Sequence, residues 1–161
     1  MIKGLVVCIG NDLVADDGIG KAVFDELQSM LLPDGIRRVY LGLGGIDLLE
    51  EMDGEELLVV VDGVQLGGQA GTIHQLHWQQ LPGIEARPVS GHGISIKEAV
   101  IVASRLYPER CPKDTYLVGI EGECFNRLGE GLSPAVRKAV PLAAKAIIDL
   151  FAERAHKGVS P

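Results

Sequence analysis

Aromatic residues are scarce in this chain: one Trp, three Tyr and three Phe among 161 residues. Leu, Val, Ile and Ala must fill the core, and an apolar fraction of 47% supplies enough of them for a sizeable one. Cysteines are few and odd in number: Cys8, Cys111 and Cys124, with no Cys-x-x-Cys pair. That argues against a disulfide framework and against a zinc knuckle. Cys8, inside an apolar run, reads as a small buried hydrophobe. No apolar run reaches the roughly 18 residues of a membrane span. Only Lys3 precedes the first strand pattern, which is not the layout of a signal peptide. The reducing cytoplasm is the expected compartment. Positive charge is also in deficit. A net charge of −7 argues against a nucleic-acid or anionic-membrane surface, since each needs a basic patch. It is compatible with a cationic partner, such as a metal ion or a basic peptide. Three signatures are missing as well. There is no Gly-x-Ser-x-Gly elbow and no P-loop. The first turn, Cys8-Ile9-Gly10-Asn11, lacks the leading glycine of a dinucleotide-binding loop.

What remains is an alternation of strand and helix. The apolar stretch over about 2–9 predicts strand one, broken by Gly10-Asn11. Ile19, Val23, Leu27, Met30 and Leu31 fall at helical spacing and predict a helix over about 17–31. Pro33-Asp34-Gly35 ends it. Strand two is expected at about 36–42 and a short helix at about 46–53. Leu57 to Val61 is apolar throughout, the mark of a central strand covered on both faces, and ends at Asp62. The glycine-rich link 67–71 is too short for a crossover helix, so the next strand, about 72–78, should run antiparallel to a neighbour. A polar loop follows over about 79–94. Ser95 with Glu98 forms a capping box for a helix over about 96–106. Strand five is expected at about 114–120. Ser133-Pro134 opens the last helix, which runs to about 156 and closes at Gly158. Pro141 should kink or split it. No linker, repeat or low-complexity stretch appears. The sum is one domain over 1–161: a three-layer α/β/α sandwich on a mostly parallel five-stranded sheet with one antiparallel strand.

In open sheets of this kind ligands bind outside the carboxyl ends of the strands. Three groups stand there. Asp17 follows strand one, where it reads either as a helix cap or first-turn carboxylate or as a ligand; Asp12 and Asp16 share the first reading. Asp62 follows the most hydrophobic strand, either as an Asx-turn with Gly63 or Val64 or as a carboxylate facing a crevice. His92 sits between glycines in the long polar loop, either as a surface histidine or as a functional one. Taken together, two carboxylates and an imidazole make an N/O set suited to Ni, Zn or Fe, with open positions for water or substrate. His74 and His77, three apart on a strand, point to opposite faces and do not chelate one ion. Glu121 and Glu123 flank the end of strand five, so one of them lines the cleft in a functional reading.

The run Ile9-Gly10-Asn11-x-Leu13-x-x-Asp16-Asp17-Gly18-x-Gly20 resembles the signature of the nickel-iron hydrogenase maturation endopeptidases. Further elements are similar in order: Gly45-Ile46-Asp47-Leu48-Leu49, then Val60-Val61-Asp62-Gly63-Val64 with Gly67 and Gly71-Thr72-Ile73. Ser90-x-His92, Gly119-Ile120-Glu121 and Gly131-Leu132-Ser133-Pro134-x-Val136 follow. The similarity spans nearly the whole chain. It implies a cytoplasmic endopeptidase that removes a C-terminal extension from a hydrogenase large-subunit precursor once nickel has been inserted. It implies that Asp17, Asp62 and His92 contact the metal, and that the nickel is carried by the precursor as the recognition element. No organic cofactor is implied. Asp17 stands where many members have Glu, one methylene longer, so its loop must approach the metal more closely. Glu121-Gly122 stands where some members have Gln-Pro. Two other classes stay open on the residues alone. One is a non-cleaving nickel-dependent docking protein, the other a small-ligand-binding α/β domain. The client isoenzyme and the oligomeric state are not written in the sequence.

Overall fold

The computed structural model describes residues 1–42, 46–80 and 96–158. Among them, five strands form one sheet: β1 (Gly4–Ile9), β2 (Ile36–Leu41), β3 (Leu57–Val64), β4 (Ile73–His77) and β5 (Thr115–Glu121). Their spatial order is β2-β1-β3-β5-β4. The β1 strand pairs in parallel with β2 and β3, and β3 with β5, whereas β4 runs antiparallel to β5. The helices are α1 (Ile19–Gln28), α2 (Ile46–Glu51), α3 (Ile96–Leu106) and α4 (Pro134–Lys157).

Strand alternation divides the apolar residues between two faces. On one face Val6, Cys8, Val59, Val61, Val118 and Ile120 pack under α1 and α4, with Val23, Leu27, Ile147 and Phe151 facing them. On the other, Leu5, Val7, Ile9, Leu58, Val60 and Leu117 meet Leu48 of α2, Met52 just after it, and Ala99 and Ala103 of α3. Two cores, one on each side of the sheet, are what an α/β/α sandwich requires. Every residue of β1 is buried, as is β3 up to Gly63, which explains why both read as unbroken apolar runs. Cys8 is fully buried, and its burial pushes the thiol pKa far up, as suits a core residue.

Some boundaries move. The first helix begins at Ile19, not 17, because a short 3-10 helix over Ala15–Gly18 precedes it. The β3 strand does not stop at Asp62. Its pairing with β5 continues through Asp62↔Gly119 to Val64↔Glu121, so Asp62 lies inside the strand. The capping residue Ser95 lies outside the described residues. Pro141 neither splits nor ends α4. Its ring is on the exposed side, where water can serve the carbonyl it frees. Val136, Ala139, Val140, Ala143 and Ala144 meanwhile hold both halves to the sheet. Gly158 closes that helix in a right-handed conformation (φ −78°), with its N–H on the Arg154 carbonyl at 3.2 Å, so no left-handed cap is used.

Candidate active site

The strand order reverses between β1, which is joined next to β2, and β3 on its other side. That is the switch point where an open α/β sheet parts to leave a crevice. The first motif is built there. Ile9 ends β1, and Gly10 adopts φ +146° and gives its N–H to the Leu41 carbonyl at 3.2 Å. The chain then folds back over its own start. A Cβ at Gly10 would lie 2.2 Å from the Asp17 carbonyl oxygen, and one at Gly20 would lie 2.1 Å from the Ile9 carbonyl oxygen. The motif's glycines are thus needed for close backbone contact, not for phosphate. The Tyr40 hydroxyl of β2 fixes the bend by donating to the Gly10 carbonyl at 2.6 Å.

Asp17 is 7% exposed, and its Oδ2 accepts the Asn11 N–H at 3.2 Å. It does not cap α1: the capping position is Gly18, with no side-chain bond. Asp62 is 6% exposed, and its Oδ1 accepts the Gly63 N–H at 2.8 Å, so the local turn-like bond foreseen for it exists within a strand. A Cβ at Gly63 would stand 3.0 Å from the Asp16 carbonyl oxygen. The 3-10 turn that carries Asp16 and Asp17 therefore packs against β3 at Gly63, next to Asp62. His92 lies outside the described residues. Among the described residues no three His, Cys, Asp or Glu side chains gather as a set able to hold a metal.

The two histidines of β4 do part as their spacing requires. His74 Nε2 meets Glu121 Oε2 at 2.9 Å, while His77 bonds to Asp114, which also takes Arg154. Glu121 has a different task from lining an open cleft. It is 3% exposed and accepts the N–H groups of Leu66, Gly67 and Gly68 at 2.9–3.1 Å, pinning the loop that follows β3. Asp16 is the residue whose importance sequence reasoning missed. It is fully buried. Its Oδ1 accepts the Ser133 N–H at 2.8 Å. Its Oδ2 accepts the N–H groups of Glu123 at 2.9 Å and Cys124 at 3.1 Å and the Ser133 hydroxyl at 2.5 Å. Burial pushes its pKa up, but the Ser133 hydroxyl and the three N–H groups outweigh that, and the carboxyl sits below the ordinary aspartate range. Only the family-like Gly-Leu-Ser-Pro segment hinted at a partner, and nothing in it names a residue 117 positions away.

The model of one protein family, that of hydrogenase maturation proteases, matches residues 22–150. The chain belongs to the hydrogenase maturation protease family. That makes it a peptidase, in preference to a non-cleaving docking protein or a ligand-binding domain. The matched span contains Asp62 and His92 and begins just after the motif that holds Asp17. Full-length relatives agree. The chain is 28% identical to the hydrogenase expression/formation protein HoxM of Azotobacter vinelandii, covering 93% of this chain and 72% of that one. It is 26% identical to the hydrogenase 2 maturation protease of Escherichia coli, covering 92% and 90%. The fold of this maturation protease superposes on a hydrogenase maturating endopeptidase of Escherichia coli with a TM-score of 0.82 at 24% identity, covering 95% of this chain and 94% of that one. No helix among the described residues is long and apolar enough to cross a membrane.

Proposed function

We propose that this protease removes the C-terminal extension of a nickel-iron hydrogenase large-subunit precursor after nickel has been inserted. In this reading the nickel arrives as part of the substrate, and Asp17, Asp62 and His92 complete its coordination. The observation that supports it most is the pair of nearly buried carboxylates at the sheet's switch point, Asp17 in the turn after β1 and Asp62 inside the neighbouring β3. Carboxylates held largely out of water at the mouth of such a crevice favour a cation as the group they meet. The docking energy they supply is absent when the precursor lacks nickel, so cleavage waits for the metal. The family's names for its relatives point to hydrogenase assembly as the setting, and the cytoplasm is the compartment this reading assigns.

Two routes then lead to hydrolysis. The metal polarises the scissile carbonyl or activates water, or a carboxylate acts as general base once the metal has docked the peptide. The test is incubation of the purified protein with nickel-loaded and nickel-free precursor, following the extension by intact mass. Loss of the extension from the loaded precursor alone is the expected result. His92→Ala and Asp62→Asn should each abolish it while the far-UV spectrum and thermal midpoint stay near wild type. Equal cleavage of both precursors would refute the nickel gate. Unimpaired processing by either variant would remove that residue from the site.

A further inference from the structure

Asp16 and Asp17 are adjacent carboxylates that bond to different parts of the chain. Asp17 keeps one edge toward the turn at Asn11, whereas both oxygens of Asp16 are consumed by donors from residues 123, 124 and 133. The backbone around Asp16 is zipped to the same segment. Gly129 N–H reaches the Leu13 carbonyl at 2.8 Å, Ala15 N–H the Glu130 carbonyl at 3.1 Å, and Asp16 N–H the Cys124 carbonyl at 2.8 Å. Between them Ala15, buried and without the freedom of glycine, is held at φ +41°. A side chain in the left-handed region persists only where its surroundings over-determine it. Glu123, Cys124 and Ser133 also line a groove of about 600 Å³ with Ala15, Arg127 and Arg137, so the carboxylate that fixes the turn also fixes one wall of that groove. Ser133, which would ordinarily cap α4, makes no side-chain cap bond and turns its hydroxyl to Asp16 instead.

From this arrangement we infer that Asp16 is the positioning residue of the first motif. Its carboxylate clamps the 123–133 segment under the turn and so sets how far Asp17 reaches into the crevice. The inference rests on the reading of Asp17 as a contact to substrate nickel. It gives the short side chain at position 17 a physical basis: an aspartate suffices because the clamp holds its backbone close.

The test uses kcat and KM for extension removal from nickel-loaded precursor, with folding checked by thermal melts above the assay temperature. Asp16→Asn keeps the size of the side chain but loses the charge that holds four donors. It should slow processing by about 10–100-fold, as loss of a group that orients a metal-contacting side chain does. Adding Asp17→Glu to that variant should recover part of the loss, because a longer carboxylate offsets a retracted turn. Asp17→Glu alone should bring no gain. A folded Asp16→Asn protein that processes at the wild-type rate would overturn the inference. So would a slow one that Asp17→Glu fails to improve, because a merely structural role is indifferent to side-chain length at 17. Where Asp16→Asn does not fold, Ser133→Ala removes a single clamp bond and should still slow processing by roughly threefold or more; no change would overturn the clamp. Wild-type processing by Asp17→Ala would instead refute the nickel-contact reading on which the inference stands, whatever Asp16 does.

Discussion

Gly20 shows how tightly the motif is drawn. A Cβ there would meet three backbone atoms of Ile9, at 2.1, 2.7 and 2.8 Å, and no side-chain rotation relieves a clash with backbone. Gly20→Ala must either push α1 off the end of β1 or bend the strand. Overpacking of this kind destabilises by about 3 kcal/mol, visible as a lower urea midpoint with an unchanged slope. Gly42 is the control: among the described residues nothing lies within 4 Å of its Cβ position, so Gly42→Ala should change stability by no more than about 0.5 kcal/mol. Equal midpoints for the two variants would mean that the contact between the first turn and β1 is softer than drawn. The same geometry explains the glycines of the motif without any ligand. They let the turn close, and the closed turn sets the backbone of Asp16 against Gly63 of β3.

Among the elements, α4 departs most from its local rules. Pro141 sits in its interior with no N–H to give the Arg137 carbonyl, yet the helix runs from Pro134 to Lys157. Local preference loses to the buried face made by Val136, Ala139, Ala143, Ile147 and Phe151. Pro141→Ala restores that bond on an exposed position, and the gain is partly offset by a freer unfolded chain. A net stabilisation of about 1–2 kcal/mol is expected, read as a melting temperature higher by a few degrees. A lower melting temperature would mean that the proline ring itself is needed for how α4 packs on the sheet. Where a pattern is local, the sequence was a sufficient guide. The apolar runs of β1 and β3, the antiparallel β4 and the apolar face of α1 at Ile19, Val23 and Leu27 are present as read, although α1 ends at Gln28, before Met30, and leaves Leu31 exposed. Where a feature depends on a distant partner it was hidden. Asp62 read as a loop residue because the extension of β3 to Val64 exists only through pairing with β5. Ser133 read as a cap because the competing acceptor, Asp16, is far off in the chain. Asp17 and Asp62 were legible as strand-end carboxylates, whereas Asp16 read as a helix cap and Glu121 as a candidate cleft residue, because the distant donors that saturate their oxygens leave no local signal.

Taken whole, the molecule places Asp17 and Asp62 at the switch point and uses other carboxylates as fasteners: Asp16 for the 123–133 segment, Glu121 for the loop after β3, and Asp114 between β4 and α4. Fasteners of this sort make folding stability depend on acid. The Asp16 carboxyl is held below its ordinary value of 3.8 in the folded chain. As pH falls, the unfolded chain therefore takes up this proton first. The stabilisation is complete above the unfolded value and is lost as pH drops through 3.8 toward the depressed folded value. Asp53, lowered by its Lys3 partner on the surface, titrates in the same window, so total stability against pH does not isolate Asp16. The difference between wild type and Asp16→Asn does, since every other carboxylate is common to both. Urea unfolding at a series of pH values should show a gap that is widest and constant from neutrality down to about pH 5 and that narrows steadily below it. A gap that stays constant into acid would mean that the four donors serve an uncharged side chain equally well. The clamp would then rest on shape alone, not on the ionised oxygen.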